Sequence, residues 1–373
     1  MKGSIITCQY AYNYGAVLQA YALCHYMESL GLDMEVVDYR PSYQLGLSKS
    51  KNKLTLFVRF LIRIPDHIKG KKVFNAFLEH YIPLTRSYTS CEELQMDPPK
   101  SDLFIAGSDQ IWNFDLPNGW DPSFYLSYAD SSKCRVSYAA SLSCDKLTSE
   151  EEAFLKEKLA GFDAISVREN TGRDLLKACG FENVQTVSDP VYLLKDQAWR
   201  DMEQKPQYKM SRKYILVIAF NRQSEIFRAG KKLAQEKGYD VYSVNTYCED
   251  IIQHTDHYFW NCKPEEFLYL IDHAECIVTN SFHGLSFSLI FNKPVLFFEK
   301  NDNGNSRMKD LLAYLEIEDK VFVKNRENIA IPKLDFKDIN RKILQLQTDS
   351  RQYIKDCILC AEKKNEAHTS EHM

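Results

Sequence analysis

The stretch Tyr214-Ile215-Leu216-Val217-Ile218-Ala219 is apolar at every position, and it begins a clear structural pattern in the second half of the chain. A strand that is apolar throughout is typical of a parallel sheet covered by helices on both faces. Around this stretch, strand-like and helix-like runs alternate along the whole chain, which indicates an α/β fold with parallel sheets. The sequence therefore predicts an α/β protein in which helices connect parallel strands.

Length and pattern together divide the chain into two wound domains. The chain has 373 residues, and domains of about 150 residues are common. Residues 188–212 form a polar stretch rich in Lys and Gln that interrupts the alternation, and we interpret it as a linker. We predict a first domain at 1–195, a second at 212–330, and a C-terminal helix and tail at 331–373. Ligands of such folds bind outside the carboxyl ends of the strands, which here face the cleft between the domains.

Composition excludes several classes of protein. Lys and Arg number 47 and Asp and Glu 51, a net charge of -4, which argues against a nucleic-acid partner. The 11 cysteines are scattered and odd in number, which is typical of a reducing compartment. Cys357-x-x-Cys360 is a lone pair, so we expect no metal site. The N-terminus lacks the apolar region of a signal peptide, and no run reaches the about 18 apolar residues of a membrane span, so we expect a cytoplasmic protein.

The loops that follow the first and third predicted strands are rich in small and hydrogen-bonding side chains. In the first loop, Asn13 and Gly15 open a helix whose unpaired N–H groups can bind an anion. Alternatively, Asn13 is only an N-cap and Gly15 only permits close packing. The second loop is either a ligand loop at a strand end or a capped turn. The candidate residues of the two loops are Asn13, Tyr14, Gly15, Ser108, Asp109 and Gln110.

An arginine and a histidine at later strand ends could carry chemistry. Arg168 can bind a carboxylate or phosphate through two parallel hydrogen bonds, although an ion pair with Glu169 or with a helix neighbour is the alternative. His283 lies in the first turn of a predicted helix, where an imidazole beside a cleft can take or give a proton near neutral pH. A purely structural histidine is the alternative there. The neighbouring substrate-binding candidates are Asn280, Ser281 and Gly284.

Six ordered motifs extend over most of the chain. They are NYGAVLQAYAL (13–23), FIAGSDQIWN (104–113), SYAAS (137–141), ISVRE (165–169), SDPVYLL (188–194) and TNSFHG (279–284). Together they make the chain similar to the polysaccharide pyruvyl transferase family. The resemblance implies a GT-B-like fold, in which two Rossmann-like domains face each other across a cleft. It also implies that the enolpyruvyl carbons of phosphoenolpyruvate pass to two hydroxyls of a sugar, which yields a cyclic pyruvate ketal and phosphate.

The same resemblance suggests roles for individual residues. His283 matches the motif histidine and Arg168 the arginine that binds the donor, while Asp109 is a third catalytic candidate for moving a proton. Some members carry an arginine where this chain has Ser281, so Arg307 or Arg222 would have to supply that cation. We expect the acceptor on the first domain, the donor on the second, and neither a cofactor nor a metal, since phosphate is already a good leaving group. The remaining substrate-binding candidates are Asn221, Glu299 and Arg307, and Glu299 could also move a proton.

Two functions of other kinds remain open. One is a GT-B-like glycosyltransferase that uses a nucleotide sugar, which would share the fold and bind the nucleotide on the second domain. The other is a non-catalytic glycan-binding homologue, for which Ser281 would be the first sign of lost activity.

Residues 49–72 form a basic segment in a chain that is slightly acidic overall. The segment has eight basic residues against one acid, Asp66. Phe57, Phe60, Leu61 and Ile64 share one face at helical spacing. A basic amphipathic helix can lie on an anionic membrane surface, where a lipid-linked oligosaccharide acceptor would be met. We therefore predict peripheral contact at the inner face of the membrane, with packing on the first domain as the alternative.

Overall fold

The first sheet has the strand order of a Rossmann fold. The computed structural model describes residues 1–45, 53–210, 213–220, 223–300, 305–324 and 329–371. The strands are β1 (Lys2–Ile6), β2 (Asp33–Tyr39), β3 (Leu84–Tyr88), β4 (Leu103–Ala106) and β5 (Cys134–Ser137). They are parallel and lie in the order β3-β2-β1-β4-β5. A short parallel pair, β6 (Ile165–Val167) and β7 (Val184–Thr186), continues the sheet through an isolated bridge between Val136 and Ala164.

The second sheet repeats this order. Its strands are β8 (Tyr214–Ile218), β9 (Asp240–Asn245), β10 (His257–Trp260), β11 (Cys276–Thr279) and β12 (Val295–Phe297). They are parallel and lie in the order β10-β9-β8-β11-β12. Every residue of β8 is buried, as its uninterrupted apolar sequence predicts. The predicted α/β class with two Rossmann-like domains is confirmed.

Helices connect and cover the strands. They are α1 (Tyr14–Glu28), α2 (Lys53–Tyr81), α3 (Cys91–Met96), α4 (Ser149–Leu159), α5 (Asn170–Ala178), α6 (Asp196–Met202), α7 (Ser224–Lys237), α8 (Pro264–Asp272), α9 (Phe282–Ile290), α10 (Ser306–Tyr314), α11 (Glu318–Val321) and α12 (Phe336–Glu371). Gly31 after α1 and Gly180 after α5 have φ of 87° and 99°. Only glycine adopts this left-handed backbone without strain, so these two residues end their helices.

The strand order places the functional loops. In each sheet, the second and third strands are added on one side of the first strand, and the fourth and fifth are added on its other side. The direction of winding therefore changes between β1 and β4 in the first sheet and between β8 and β11 in the second. The connections on either side of such a reversal diverge and leave a crevice at the carboxyl ends of the strands. The loops after β1, β4, β8 and β11 therefore define the cleft.

The first half of the predicted linker, residues 188–212, packs into the protein core. Val191 and Trp199 are fully buried, and the Trp199 indole Nε1 donates a hydrogen bond to the Val191 carbonyl (3.1 Å). The Trp199 ring also meets Phe287 of α9 edge-on, with centroids 5.0 Å apart. The interrupted periodicity therefore marks a short 3-10 turn, Pro190–Tyr192, followed by α6.

The C-terminal helix α12 returns to the first sheet. The Tyr353 hydroxyl donates to the Ser137 carbonyl at the end of β5 (2.8 Å). Ser350 Oγ accepts a hydrogen bond from the Ser188 backbone N–H (2.8 Å). The chain therefore crosses between the two sheets twice, once in each direction.

Helix α2 belongs to the first half of the chain and reaches the second. Phe74 and Leu78 are fully buried in the core that it shares with α1. Residues 49–52 of the predicted basic segment lie outside the described residues, and its side chains are described only from Arg63 onward.

Within the described part of the chain, none of the helices combines the length and hydrophobicity that crossing a bilayer requires.

Candidate active site

The turn from β11 into α9 holds His283 in the cleft. Ser281 is the N-cap of α9, and its Oγ accepts a hydrogen bond from the Gly284 N–H (3.2 Å). A side chain at position 284 would collide with Thr279 Oγ1, because a Cβ there would lie 2.7 Å from that atom. Ser281 and Gly284 therefore shape the turn that presents His283, whose side chain is almost buried.

The first turn of α1 contacts the His283 ring from the other domain. Asn13 is the N-cap of α1, and its Oδ1 accepts a hydrogen bond from the Ala16 N–H (2.8 Å). Gly15 lies so close to the imidazole that a Cβ would fall 1.9 Å from His283 Nδ1. Two helix N-termini, those of α1 and α9, thus converge on one imidazole, and both bring partial positive charge to it.

Asp189 anchors the cluster, and sequence reasoning missed it. Its Oδ2 accepts hydrogen bonds from Arg168 Nη1 and from Ser108 Oγ (3.3 Å). The same oxygen lies 3.5 Å from His283 Nε2. Burial alone would raise the pKa of Asp189, but the charges of His283 and Arg168 hold it well below its ordinary value. Asp189 is therefore a buried carboxylate that joins the two predicted catalytic residues.

Asp109 and two arginines form the other side of the cluster. Asp109 Oδ1 lies 3.4 Å from Arg168 Nη2 and 3.7 Å from Arg307 Nη1. Against the effect of burial, Arg168, His283 and Arg307 lower the pKa of Asp109. The backbone of Asp109 has φ of 74°, a left-handed conformation that is strained for a residue other than glycine and is common at functional sites.

Both guanidinium groups lie over the ring of Phe282. The Arg168 and Arg307 guanidinium carbons are 4.6 and 5.6 Å from its centroid, which is within the range of a cation–π contact. Burial and the neighbouring charge of Arg168 lower the pKa of Arg307 to about 10. The two cations thus repel each other in a buried space, and this repulsion favours binding of an anion.

One alternative for Arg168 was an ion pair with Glu169, but these two side chains are not directly paired. Its Oε1 instead accepts hydrogen bonds from the N–H groups of Leu142 (3.0 Å) and Ser143 (3.1 Å) and from Ser141 Oγ (3.0 Å). The buried Glu169 carboxylate fixes the loop after β5. Arg168 pairs instead with Asp189 and Asp109.

Two predicted contact residues have their side chains engaged in packing. Asn280 Oδ1 accepts a hydrogen bond from the Phe220 N–H (2.7 Å), and its Nδ2 donates to the Phe220 carbonyl (2.9 Å). The Tyr14 ring stacks on Phe267 with centroids 4.3 Å apart, and its hydroxyl lies 3.4 Å from Cys262 Sγ. Asn280 ties β11 to β8, and Tyr14 joins α1 to α8.

The remaining candidates lie around the cluster or beyond it. Gln110 Oε1 accepts a hydrogen bond from Asn113 Nδ2 (2.7 Å) within its own loop. Glu299 is exposed and forms an ion pair with Lys309 (2.6 Å). Asn221 lies outside the described residues, as does Arg222.

A separate acidic cluster offers the geometry of a metal site. Ligand atoms of Glu203, Asp272 and His273 lie within 4.8 Å of one another. The Asp272 carboxylate is, however, already paired with Arg200 (2.9 Å) and approached by Lys293 (3.8 Å). These two cations oppose the binding of a metal ion.

The structure is a GT-B-type fold with a buried cluster of arginine, aspartate and histidine side chains between two Rossmann-like domains. The chain belongs to the polysaccharide pyruvyl transferase family, because the sequence model of that family matches residues 13–302. The family consists of transferases that act on polysaccharides. The matched range includes His283, Arg168, Asp109 and Asp189, whereas Arg307 lies just beyond it.

Solved structures share the fold at low sequence identity. UDP-N-acetylglucosamine 2-epimerase from Rickettsia bellii aligns with a TM-score of 0.53 at 12% identity, covering 98% of this chain and 97% of that one. A Listeria monocytogenes protein assigned as a UDP-N-acetylglucosamine 2-epimerase aligns with a TM-score of 0.54 at 11% identity, covering 94% and 89%. No curated protein sequence gives a significant match.

Proposed function

We propose that this protein transfers pyruvate from phosphoenolpyruvate to a sugar of a polysaccharide or its precursor, forming a pyruvate ketal. The observation that carries the proposal is the buried cluster of Arg168, Arg307 and His283. Arg168 Nε and Arg307 Nε have no hydrogen-bond partner among the described residues, and the acceptor facing His283 Nε2, Asp189 Oδ2, is 3.5 Å away. Buried donors without partners are costly, and a ligand with several anionic oxygens would satisfy them.

Phosphoenolpyruvate suits this site because it carries both a carboxylate and a phosphate. We assign the carboxylate to Arg168 and Arg307, since a guanidinium group can bind carboxylate oxygens through two hydrogen bonds. We assign the phosphate to the N-termini of α1 and α9, where the partial positive charge of a helix end favours an anion. The position of Arg307 beside Asp109 supports the idea that it replaces the arginine missing at Ser281.

The reaction requires several proton transfers. The methylene carbon of phosphoenolpyruvate gains a proton and becomes a methyl group, which activates the neighbouring carbon toward a sugar hydroxyl. Phosphate leaves, and a second hydroxyl of the sugar attacks the same carbon. Both hydroxyls lose their protons: the phosphate takes up one, and the other replaces the proton given to the methylene carbon. We assign the proton transfer to carbon to His283, the titratable group at the centre of the cluster.

Asp109 fits an orienting role better than the role of a base. Its pKa lies below the ordinary carboxyl value, and its Oδ1 is shared by Arg168 and Arg307. A carboxylate held in this way accepts a proton poorly. We therefore propose that Asp109 and Asp189 hold the two arginines and the imidazole in place.

Donor binding followed by turnover tests the proposal. The purified protein is titrated calorimetrically with phosphoenolpyruvate, UDP and GDP, and phosphate release is then measured with a galactoside or mannoside acceptor. We expect phosphoenolpyruvate alone to bind, and His283→Ala to slow release by about 10²- to 10⁴-fold. His273→Ala is the matched control, because His273 is exposed at the C-cap of α8. Binding of UDP or GDP without phosphoenolpyruvate would indicate a glycosyltransferase, and binding of neither donor a non-catalytic homologue.

A further inference from the structure

The carboxylate of Asp189 serves both its own turn and the active-site cluster. Asp189 Oδ1 accepts a hydrogen bond from the Val191 N–H (3.1 Å), which caps the 3-10 turn Pro190–Tyr192. The other oxygen, Oδ2, faces Arg168 and His283. Because one oxygen belongs to the turn and the other to the cluster, a movement of the turn moves the carboxylate that faces the imidazole.

Helix α12 holds the residue just before Asp189. Ser350 Oγ accepts a hydrogen bond from the Ser188 N–H (2.8 Å) and lies 2.9 Å from Ser188 Oγ. The Tyr138 hydroxyl donates a hydrogen bond to the Ser188 carbonyl (3.1 Å). Ser350 is fully buried, and Ser188 and Tyr138 are nearly so. Both peptide groups of Ser188 are therefore fixed by side chains, one from α12 and one from the loop after β5.

A second residue of α12 holds the end of the same turn. Arg351 Nη2 donates a hydrogen bond to the carbonyl of Leu193, which directly follows the 3-10 turn (2.6 Å). Neighbouring residues of α12 thus hold the chain on both sides of the turn. A buried backbone N–H that loses its acceptor must find another or remain unpaired, which is destabilising. Removal of the Ser350 hydroxyl would therefore displace or loosen the Ser188 peptide while Leu193 stays attached.

We propose that Ser350 is a positioning residue for the active site, acting through Ser188 and Asp189 on His283. Ser350 is not a catalytic residue, since the groups that it binds are the Ser188 N–H and hydroxyl. It lies outside residues 13–302, which the family model matches. The expected effect on turnover rests on the proposed function, whereas the effect on the His283 ring can be measured without any reaction.

The alternative is that Ser350 only fastens α12 to the first domain. Tyr353 also fastens it there, because its hydroxyl donates to the Ser137 carbonyl (2.8 Å). Tyr353→Phe is therefore the matched control: like Ser350→Ala, it removes one hydroxyl from a buried side chain of α12. Both variants should lose a few degrees of melting temperature, and only Ser350→Ala should alter the active site.

NMR of the unliganded full-length protein, labelled with ¹⁵N in histidine, tests the step from Ser350 to His283. The ring nitrogen signals of His283 are assigned by their absence in His283→Ala and are followed against pH. We expect Ser350→Ala to shift these signals in the same direction as Asp189→Asn, and Tyr353→Phe to leave them unchanged. The inference is overturned if Ser350→Ala leaves the signals unchanged, or if the control shifts them as much.

Turnover gives a second test, which depends on the proposed function. Ser350→Ala should lower kcat for phosphate release about tenfold, less than the roughly 10²-fold cost of a 1 Å misplacement of a reacting group, with little change in the donor KM. In an Asp189→Asn background the same substitution should have almost no further effect, because residues that act through one another are not additive. An equal loss in both backgrounds would contradict a role through Asp189. A protein that shows the NMR shift but releases no phosphate would refute the proposed function and leave the positioning of His283 standing.

Discussion

Replacing Gly15 with alanine should disable the active site without unfolding the protein. The added Cβ would lie 1.9 Å from His283 Nδ1, whereas ordinary contacts begin at 3.4 Å. The difference between these distances, about 1.5 Å, is the shift that the imidazole or the first turn of α1 must make. A misplacement of about 1 Å costs roughly 10²-fold in rate, so we expect kcat/KM to fall at least about 100-fold, or about 2.7 kcal/mol of transition-state stabilisation.

The assay compares Gly15→Ala with Gly70→Ala. A Cβ at Gly70 would lie 3.5 Å from Asn261 Oδ1, an ordinary contact, so this substitution needs no displacement. Both variants gain the helix propensity of alanine, up to about 1 kcal/mol, and thermal melting should show both folded. Phosphate release and phosphoenolpyruvate binding are measured for each. Wild-type turnover by Gly15→Ala would refute the contact between α1 and His283 in the working enzyme.

Three further substitutions probe the charged groups. Arg168→Lys should raise KM for phosphoenolpyruvate more than KM for the acceptor, because lysine cannot make two parallel hydrogen bonds; equal changes in both constants would indicate a structural role. Asp189→Asn should lower kcat by about 10²-fold and alter its pH profile, since the imidazole loses the anion that positions it; a higher donor KM with unchanged kcat and pH profile would contradict this. Burial and the nearby Asp272 raise the pKa of Glu203. At pH values above the ordinary carboxyl pKa of about 4.3, the native state therefore retains a proton that the unfolded chain has lost. Stability should therefore decline as pH rises toward neutrality, and urea titrations should show a smaller decline for Glu203→Gln.

The position of a site residue could be predicted from the sequence where that residue stands at the end of a strand beside a clear apolar pattern. Arg168 follows a short buried strand and His283 opens an apolar helix, so their places in the cleft could be predicted from local periodicity. Asp189 could not be found in this way, because it precedes a 3-10 turn in a stretch where periodicity is weak. Its motif, SDPVYLL, was the available signal, but nothing local indicates that its carboxylate turns toward Arg168.

Two other predicted contact residues have packing partners that the sequence does not reveal. Asn280 and Tyr14 are polar or amphipathic residues in cleft loops, yet their partners are Phe220 and Phe267. Those partners lie about 60 and 253 positions away in the chain, and only the tertiary fold brings them together. Local sequence reports which side chains can form hydrogen bonds, whereas the identity of the partner depends on long-range packing.

The return of α12 to the first sheet has a consequence for folding during synthesis. The hydrogen bond from Tyr353 to Ser137 joins residues 216 positions apart, so it forms only when nearly the whole chain has left the ribosome. Domains usually fold in order from the N-terminus as they emerge, but here the β5 side of the first sheet stays uncovered until α12 arrives. The growing chain must pass through an intermediate with exposed apolar surface, and a truncation before residue 336 would leave it in that state.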